Sequence, residues 1–243
     1  MEIISYEKPN VLVIKDFIPK EDVKRILSAL ENTTEDQWHI DTDRKQKAYE
    51  RQFGPNAEES FLKKSDKIWE DMTLNINNPE ESSFLYPHLP HQYLNMVQKM
   101  IQKVTQERFS ENLVMQLSGL HRWRPGREQR PHLDYFLDEE DHDFEKLARF
   151  QITKEDTDKF KQNFNDKHYS SLLYFNDNYV GGELYMPQYN FEIKPEPGML
   201  ICFKGDEDHL HGVKMVEEGI RYTWSIFWTR LDWYMKNKMG VQK

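Results

Sequence analysis

From Leu113 onward the apolar pattern changes period, and that change constrains the fold more than any other feature of the chain. Leu113, Met115 and Leu117 alternate with Val114, Gln116 and Ser118, the two-residue period of a half-buried strand. Further short strands are predicted at His132–Phe136, Ser171–Phe175, Gly182–Met186, Met199–Phe203 and Tyr222–Thr229. Between them lie the turn signals Pro125-Gly126, Asn176-Asp177-Asn178, Gly181-Gly182, Pro197-Gly198 and Glu218-Gly219. Many short strands with such punctuation fold as a sandwich or a jelly roll.

The N-terminal half reads differently. Val11–Val13 with Ile14 forms a strand, Asp16-Phe17-Ile18-Pro19 a turn, and a helix starts near Lys20. Val23, Ile26, Leu27 and Leu30 give that helix one apolar face. Pro90 opens a second helix whose predicted buried stripe is Tyr93, Leu94, Val97, Met100, Ile101 and Val104. Residues 32–88 are polar and mixed, with loops at Gly54-Pro55 and Asn77-Asn78-Pro79. The expected architecture is α+β: one domain over 1–243, with residues 1–112 as a helical support and 113–232 as a jelly-roll core. An acidic insertion at 137–169, helical or mobile, interrupts the core. It is either a lid or a solvated excursion.

Composition excludes several classes. A chain of 243 residues with 37% hydrophobic and 13% aromatic residues packs a core. The apolar run Met199–Phe203 is too short to span a bilayer. Met1–Tyr6 shows no basic and apolar signal-peptide regions, and Cys202 as the only cysteine rules out an internal disulfide, so a soluble cytoplasmic protein is expected. The net charge of −9 argues against a nucleic-acid binder.

The chemistry concentrates in a few positions. On a strand, His132 and Asp134 share a face, and a distant His-Gly-Val at 211–213 supplies another imidazole, with His209 a competitor for that role. Two histidines and a carboxylate can hold one face of an octahedral Fe(II) ion and leave three positions open. Parity places Arg221, Thr223, Ser225 and Phe227 on one face of the last strand, and Tyr222, Trp224, Ile226 and Trp228 on the other. The second set packs against helices, so Arg221 and Thr223 point into the roll. A buried guanidinium requires an anion, either a carboxylate ligand or an internal acid. Tyr174 is a second hydrogen-bond donor or an ordinary core tyrosine, and Trp123 a pocket wall or a packing residue. Arg122, Arg124, Arg127 and Arg130 could hold substrate, although pairing with the acidic stretch Asp138–Asp143 is favoured. Trp123, Arg124 and Tyr135 are the candidate substrate contacts.

Taken together, Trp-Arg-Pro-Gly at 123–126, Pro-His-Leu-Asp-Tyr-Phe at 131–136 and Leu-Leu-Tyr-Phe-Asn-Asp at 172–177 form a longer pattern. Gly-Gly-Glu-Leu at 181–184, Pro-Glu-Pro-Gly-Met-Leu at 195–200, His211-Gly-Val and Glu218-Gly219-Ile220-Arg221-Tyr222 complete it. The set resembles the prolyl 4-hydroxylase-type Fe(II)/2-oxoglutarate dioxygenases. That resemblance implies a double-stranded β-helix with Fe(II) on His132, Asp134 and His211. It implies 2-oxoglutarate on Arg221, Tyr174 and Thr223, O2 as oxidant, and ascorbate as an accessory reductant. The implied reaction couples decarboxylation of 2-oxoglutarate to hydroxylation of a C–H bond, by family default a prolyl residue of a peptide or protein. The carboxylate at 134 distinguishes the chain from halogenase relatives, which have a small residue there. Trp123 and Gln129 stand at common tyrosine positions of the family, Arg221 where collagen-type members use lysine, and the 137–169 insertion is unusual. These departures leave room for a free amino acid or other small-molecule substrate, and a non-catalytic metal-binding jelly roll is the rival outside catalysis. A nucleobase demethylase of the same superfamily is disfavoured by the net acidity.

Overall fold

A computed structural model describes residues 1–33, 72–74, 91–134, 149 and 167–239. Its core is two facing antiparallel sheets with helices against the outside of the larger one. The large sheet has seven strands: β1 (Glu2–Tyr6), β2 (Val11–Lys15), β10 (Leu200–Lys204), β6 (Tyr169–Tyr174), β13 (Arg221–Arg230), β4 (Leu113–Trp123) and β3 (Met72–Leu74), in that spatial order. The small sheet runs β5 (Gln129–His132), β11 (His211–Val213), β8 (Leu184–Met186) and β9 (Phe191–Ile193). A two-stranded ribbon joins β7 (Val180–Gly181) to β12 (Val216–Glu218). This is the expected jelly roll.

Strand parity separates two cores. Tyr222, Trp224, Ile226 and Trp228 of β13 face outward and are buried with Leu173, Leu200 and the helices. The helices are α1 (Lys20–Glu31), α2 (His91–Phe109) and a short α3 (Leu231–Asn237). Val23, Ile26, Ala29 and Leu30 of α1 and Leu94, Val97 and Ile101 of α2 supply the helical side of that layer. A fully buried indole must place its N–H, and Trp224 donates to Ser118 Oγ at 2.7 Å while Trp228 donates to Ser171 Oγ at 2.9 Å. The inner core lies between the sheets and includes Val11, Val13, Trp123, Tyr174, Tyr179, Leu184, Ile201 and Phe203.

Several expectations need correction. Residues 1–112 are not only a helical support, because β1, β2 and β3 come from them and extend the large sheet. Met100 is 39% exposed, lying about a quarter-turn from the centre of the Leu94–Val97–Ile101 stripe. Of the predicted Gly182–Met186 strand only Leu184–Met186 form β8, and Gly182, at positive φ, separates it from β7. The alternation of β4 shifts at a bulge, where Phe227 pairs with Leu117 and Trp228 with Met115, so Gln116 has no partner in the register. Tyr169 already belongs to β6. The helix-opening Pro90, Tyr135 and Phe136, the acidic run Asp138–Asp143 and the rest of the insertion as far as residue 166, Arg149 excepted, lie outside the described residues. So do most of residues 34–90.

Candidate metal centre and its anion chamber

The metal centre begins with one strand pair. His132 ends β5 and His211 begins β11, and the antiparallel register sets them directly opposite. Their rings lie 4.3 Å apart between centroids. Gly212 lets the strands approach this closely, since a Cβ there would meet the Gln129 carbonyl oxygen and the Tyr185 ring at 2.7 Å. β5 carries a register shift between His132 and Gln129, and Pro131 is tolerated because β5 is the edge of the small sheet.

Asp134 arrives differently from the prediction. The strand stops at His132, and Asp134 sits on a bend rather than two residues along a continuous strand. Its backbone N–H donates to Gly205 O at 3.1 Å, and Ser170 Oγ donates to its Oδ2 at 2.5 Å. Gly205 follows β10 and Ser170 lies in β6, so the chain leaves the small sheet after His132 to tie Asp134 to the large one. The carboxylate still meets both imidazoles. Asp134 Oδ1 is 3.7 Å from His132 Nε2, and Oδ2 is 3.5 Å from His211 Nε2. All three donor atoms lie within 4.8 Å of one another.

Ring orientation favours metal binding. Neutral His132 donates its Nδ1–H to Arg130 O at 2.9 Å, and His211 donates its own to His209 O at 2.9 Å. Each Nε2 lone pair is thereby turned inward, the usual arrangement of metal-bound imidazoles. Burial lowers His211 to about 4, helped by the neighbouring His132, and lowers His132 as well. Burial would raise Asp134, but His211, His132, Lys167 and the Ser170 hydroxyl hold its carboxyl below the usual range. Two neutral imidazoles and a carboxylate at neutral pH are the donor set that suits Fe(II). His209 is not part of it: its ring turns to Asp206.

A second cluster of buried side chains surrounds Arg221 on the inner face of β13. Cross-strand pairing places Arg221 opposite Trp123 and Thr223 opposite Tyr174. The guanidinium carbon lies 4.8 Å from the Trp123 ring and 5.1 Å from the Tyr174 ring. Arg221 Nη2 donates to Tyr174 Oη at 3.4 Å. Burial raises the Tyr174 phenol, and raises Tyr179, also beside Arg221, to about 12, so both remain protonated donors. Gly182, at φ +70°, clears this corner, since a Cβ would meet the Tyr179 ring at 2.9 Å and Arg221 Cδ at 3.0 Å. Arg221 is 2% exposed, no carboxylate contacts it among the described residues, and its Nε and the Trp123 Nε1 are buried without a hydrogen-bond partner. Two unpaired N–H groups beside a buried cation fit a ligand carboxylate, the group that 2-oxoglutarate would present there.

Thr223 is buried on the same inner face. Trp123, expected as a pocket wall, a packing residue or a substrate contact, is 6% exposed and packs against the Arg221 guanidinium. Arg124 lies just past the end of β4, half-buried, and Tyr135 is outside the described residues. Three neighbours, Ser170, Lys167 and Tyr179, were not anticipated, and the contact of Gln129 with His132 was not either. Ser170 was accessible from parity, being four residues before Tyr174 on the same strand. Lys167, with its ammonium 4.1 Å from the Phe227 ring, and Tyr179 lie outside any periodic pattern. Gln129, whose Nε2 donates to His132 Nε2 at 2.9 Å, is brought in by the register shift.

Residues 118–230 match the 2OG-Fe(II) oxygenase superfamily. Human prolyl 3-hydroxylase 2 is 35% identical over 68 residues, 26% of this chain and 10% of that protein. Mouse prolyl 3-hydroxylase 3 is 32% identical over 78 residues, 28% of this chain and 11% of that protein. The chain thus spans about a tenth of the length of the curated relatives it matches. Among solved structures, a prolyl hydroxylase from Trichoplax adhaerens, in complex with a hypoxia inducible factor peptide fragment, aligns with TM-score 0.55 and 14% identity. It covers 96% of this chain and 87% of that one. A viral collagen prolyl hydroxylase from Paramecium bursaria Chlorella virus-1, in complex with 2OG, aligns with TM-score 0.53 and 11% identity over 91% of this chain and 96% of that one. These likenesses fix the fold. The match at residues 118–230 takes in His132, Asp134, His211 and Arg221, the residues of both clusters described above.

Proposed function

We propose that this protein is an Fe(II)- and 2-oxoglutarate-dependent hydroxylase whose substrate is a prolyl residue in a peptide or protein. The observation that carries the chemistry is the pairing of a complete His132–Asp134–His211 donor set with the buried Arg221, whose guanidinium meets no acid among the described residues. A metal-binding jelly roll without the co-substrate would have no use for that cation. The prolyl assignment draws on the relatives, which are named as prolyl hydroxylases.

When bound, Fe(II) and 2-oxoglutarate supply an oxidative decarboxylation coupled to oxygen insertion into a C–H bond. The chain supplies position and shielding. His132 and His211 present fixed Nε2 lone pairs, and Ser170 orients Asp134. Arg221, with Tyr174 and Thr223, would take the far carboxylate of 2-oxoglutarate. Trp123 and Tyr179, buried beside Arg221, would keep water from that ion pair and so strengthen it.

The test is incubation of the Fe(II)-loaded protein with 2-oxoglutarate and a library of proline-bearing peptides, read by mass spectrometry. Gain of one oxygen on a prolyl residue, with matching succinate, supports the reading. Oxygen gain only on free amino acids would replace the peptide substrate with a small molecule. Absence of succinate under all conditions would remove the enzymatic reading.

A further inference from the structure

The segment joining β10 to β11, residues 205–210, touches two of the three metal ligands. Gly205 O accepts the Asp134 N–H, and His209 O accepts the His211 Nδ1–H. The second contact requires the His209 carbonyl to aim at His211, and two residues away from it the ring of His209 is itself anchored. His209 Nδ1 lies 2.5 Å from Asp206 Oδ1, and the His209 backbone N–H donates to Asp206 O at 2.9 Å. Gln188 Nε2 fastens the same turn through Glu207 O at 2.5 Å. The His209 side chain is 5% exposed, and its Nε2 is buried with no hydrogen-bond partner. Asp206 is therefore the sole polar anchor of that ring among the described residues, and a buried, unpartnered Nε2 selects the Nδ1–H tautomer that Asp206 accepts.

The geometry points to Asp206 and His209 as positioning residues for the metal centre: their side-chain bond holds the turn whose carbonyl orients His211. This rests on the metal-centre reading above. Ligand imidazoles owe their orientation and basicity to the acceptor on the other ring nitrogen, and losing such support weakens metal binding about 10- to 100-fold. Here the acceptor is a backbone carbonyl, so side-chain control must act one step further out.

Isosteric pairs separate this role from simple turn stabilisation. Asp206→Ala removes the acceptor, whereas Asp206→Asn keeps an oxygen there. His209→Ala removes the donor, whereas His209→Asn places an amide N–H near the Nδ1 position. Anaerobic Mn(II) titration of each purified full-length protein, followed by loss of the free-ion EPR signal, reads the dissociation constant. Thermal melting of the same metal-free samples reads stability. Both alanine variants are expected to bind Mn(II) at least about tenfold more weakly, and both asparagine variants to lie within about threefold of wild type. If Asp206→Ala does not fold, the His209 pair gives the same comparison. Unchanged Mn(II) affinity in the alanine variants, even with a lowered melting temperature, would overturn the inference and leave the metal centre standing. A wild-type chain that does not bind Mn(II) or Fe(II) would overturn both.

Discussion

The two ends of the site are finished to different degrees. At the metal end the polar groups of the donors themselves are engaged: both Nδ1–H groups reach carbonyls, and Asp134 is held at its N–H and its carboxylate. At the Arg221 end, a cation among aromatic rings keeps two N–H groups without acceptors. Unmet buried donors cost about 1–3 kcal/mol each, a cost that a bound carboxylate at Arg221 would remove. The first end is organised to hold a metal, and the second is organised to complete itself with a carboxylate.

The largest effects should come from the metal end. His132→Ala, Asp134→Ala and His211→Ala are each expected to abolish metal binding and turnover, because two donors do not make a facial site. Isothermal titration with Mn(II) checks this, and near-normal affinity in any of the three would break the comparison there. Arg221→Ala should divide the two ends. Truncating one partner of a shielded ion pair costs about 2–5 kcal/mol, so the 2-oxoglutarate concentration for half-maximal succinate formation should rise at least about thirtyfold. Metal affinity in that variant should stay near wild type.

Ser170→Ala tests the reverse direction. A hydrogen bond to a charged group contributes about 1.5–3 kcal/mol, and its loss should weaken Mn(II) binding about tenfold or more. The 2-oxoglutarate affinity of the metal-saturated protein should change little. Equal losses at both ends would mean that the ends are not separable.

The smallest effect is the acid sensitivity of the metal-free protein. Burial lowers the folded values of His211, to about 4, and of His132. The unfolded chain therefore takes up these protons first as pH falls below about 6.5. Stability from these groups is complete above that pH and drains toward pH 4, by at most about 2 kcal/mol for His211 at pH 5. Asp134 acts only below about pH 4, outside this window. The melting temperature of the metal-free protein should fall from pH 7 to 5, and fall less in His211→Gln. A flat profile would show that the imidazoles are not buried as described.

What the sequence disclosed follows periodicity. The inward and outward sets of β13, and with them the helix-facing tryptophans and the inward Arg221 and Thr223, follow from alternate residues on one long strand. Ser170 was within reach of the same rule. Sequence failed where a backbone departs from regular geometry. Asp134 joins His132 through a bend tied to Gly205, not through strand parity, although the two ligands meet as expected. Gln129 approaches His132 only through a register shift, and Tyr179 reaches Arg221 from a non-periodic stretch between strands. The strands β1, β3, β9 and β12 are short or set in polar sequence, where no period accumulates.

The central claim is that 2-oxoglutarate engages both the metal donors and Arg221, and calorimetry of 2-oxoglutarate binding without oxygen tests it most directly. Wild-type protein should bind 2-oxoglutarate tightly with Mn(II) present and far more weakly without it, because the ligand then has only the Arg221 end. Arg221→Ala should lose most of the metal-dependent affinity while retaining its Mn(II). Binding that ignores the metal, or that survives in Arg221→Ala unchanged, would contradict the account.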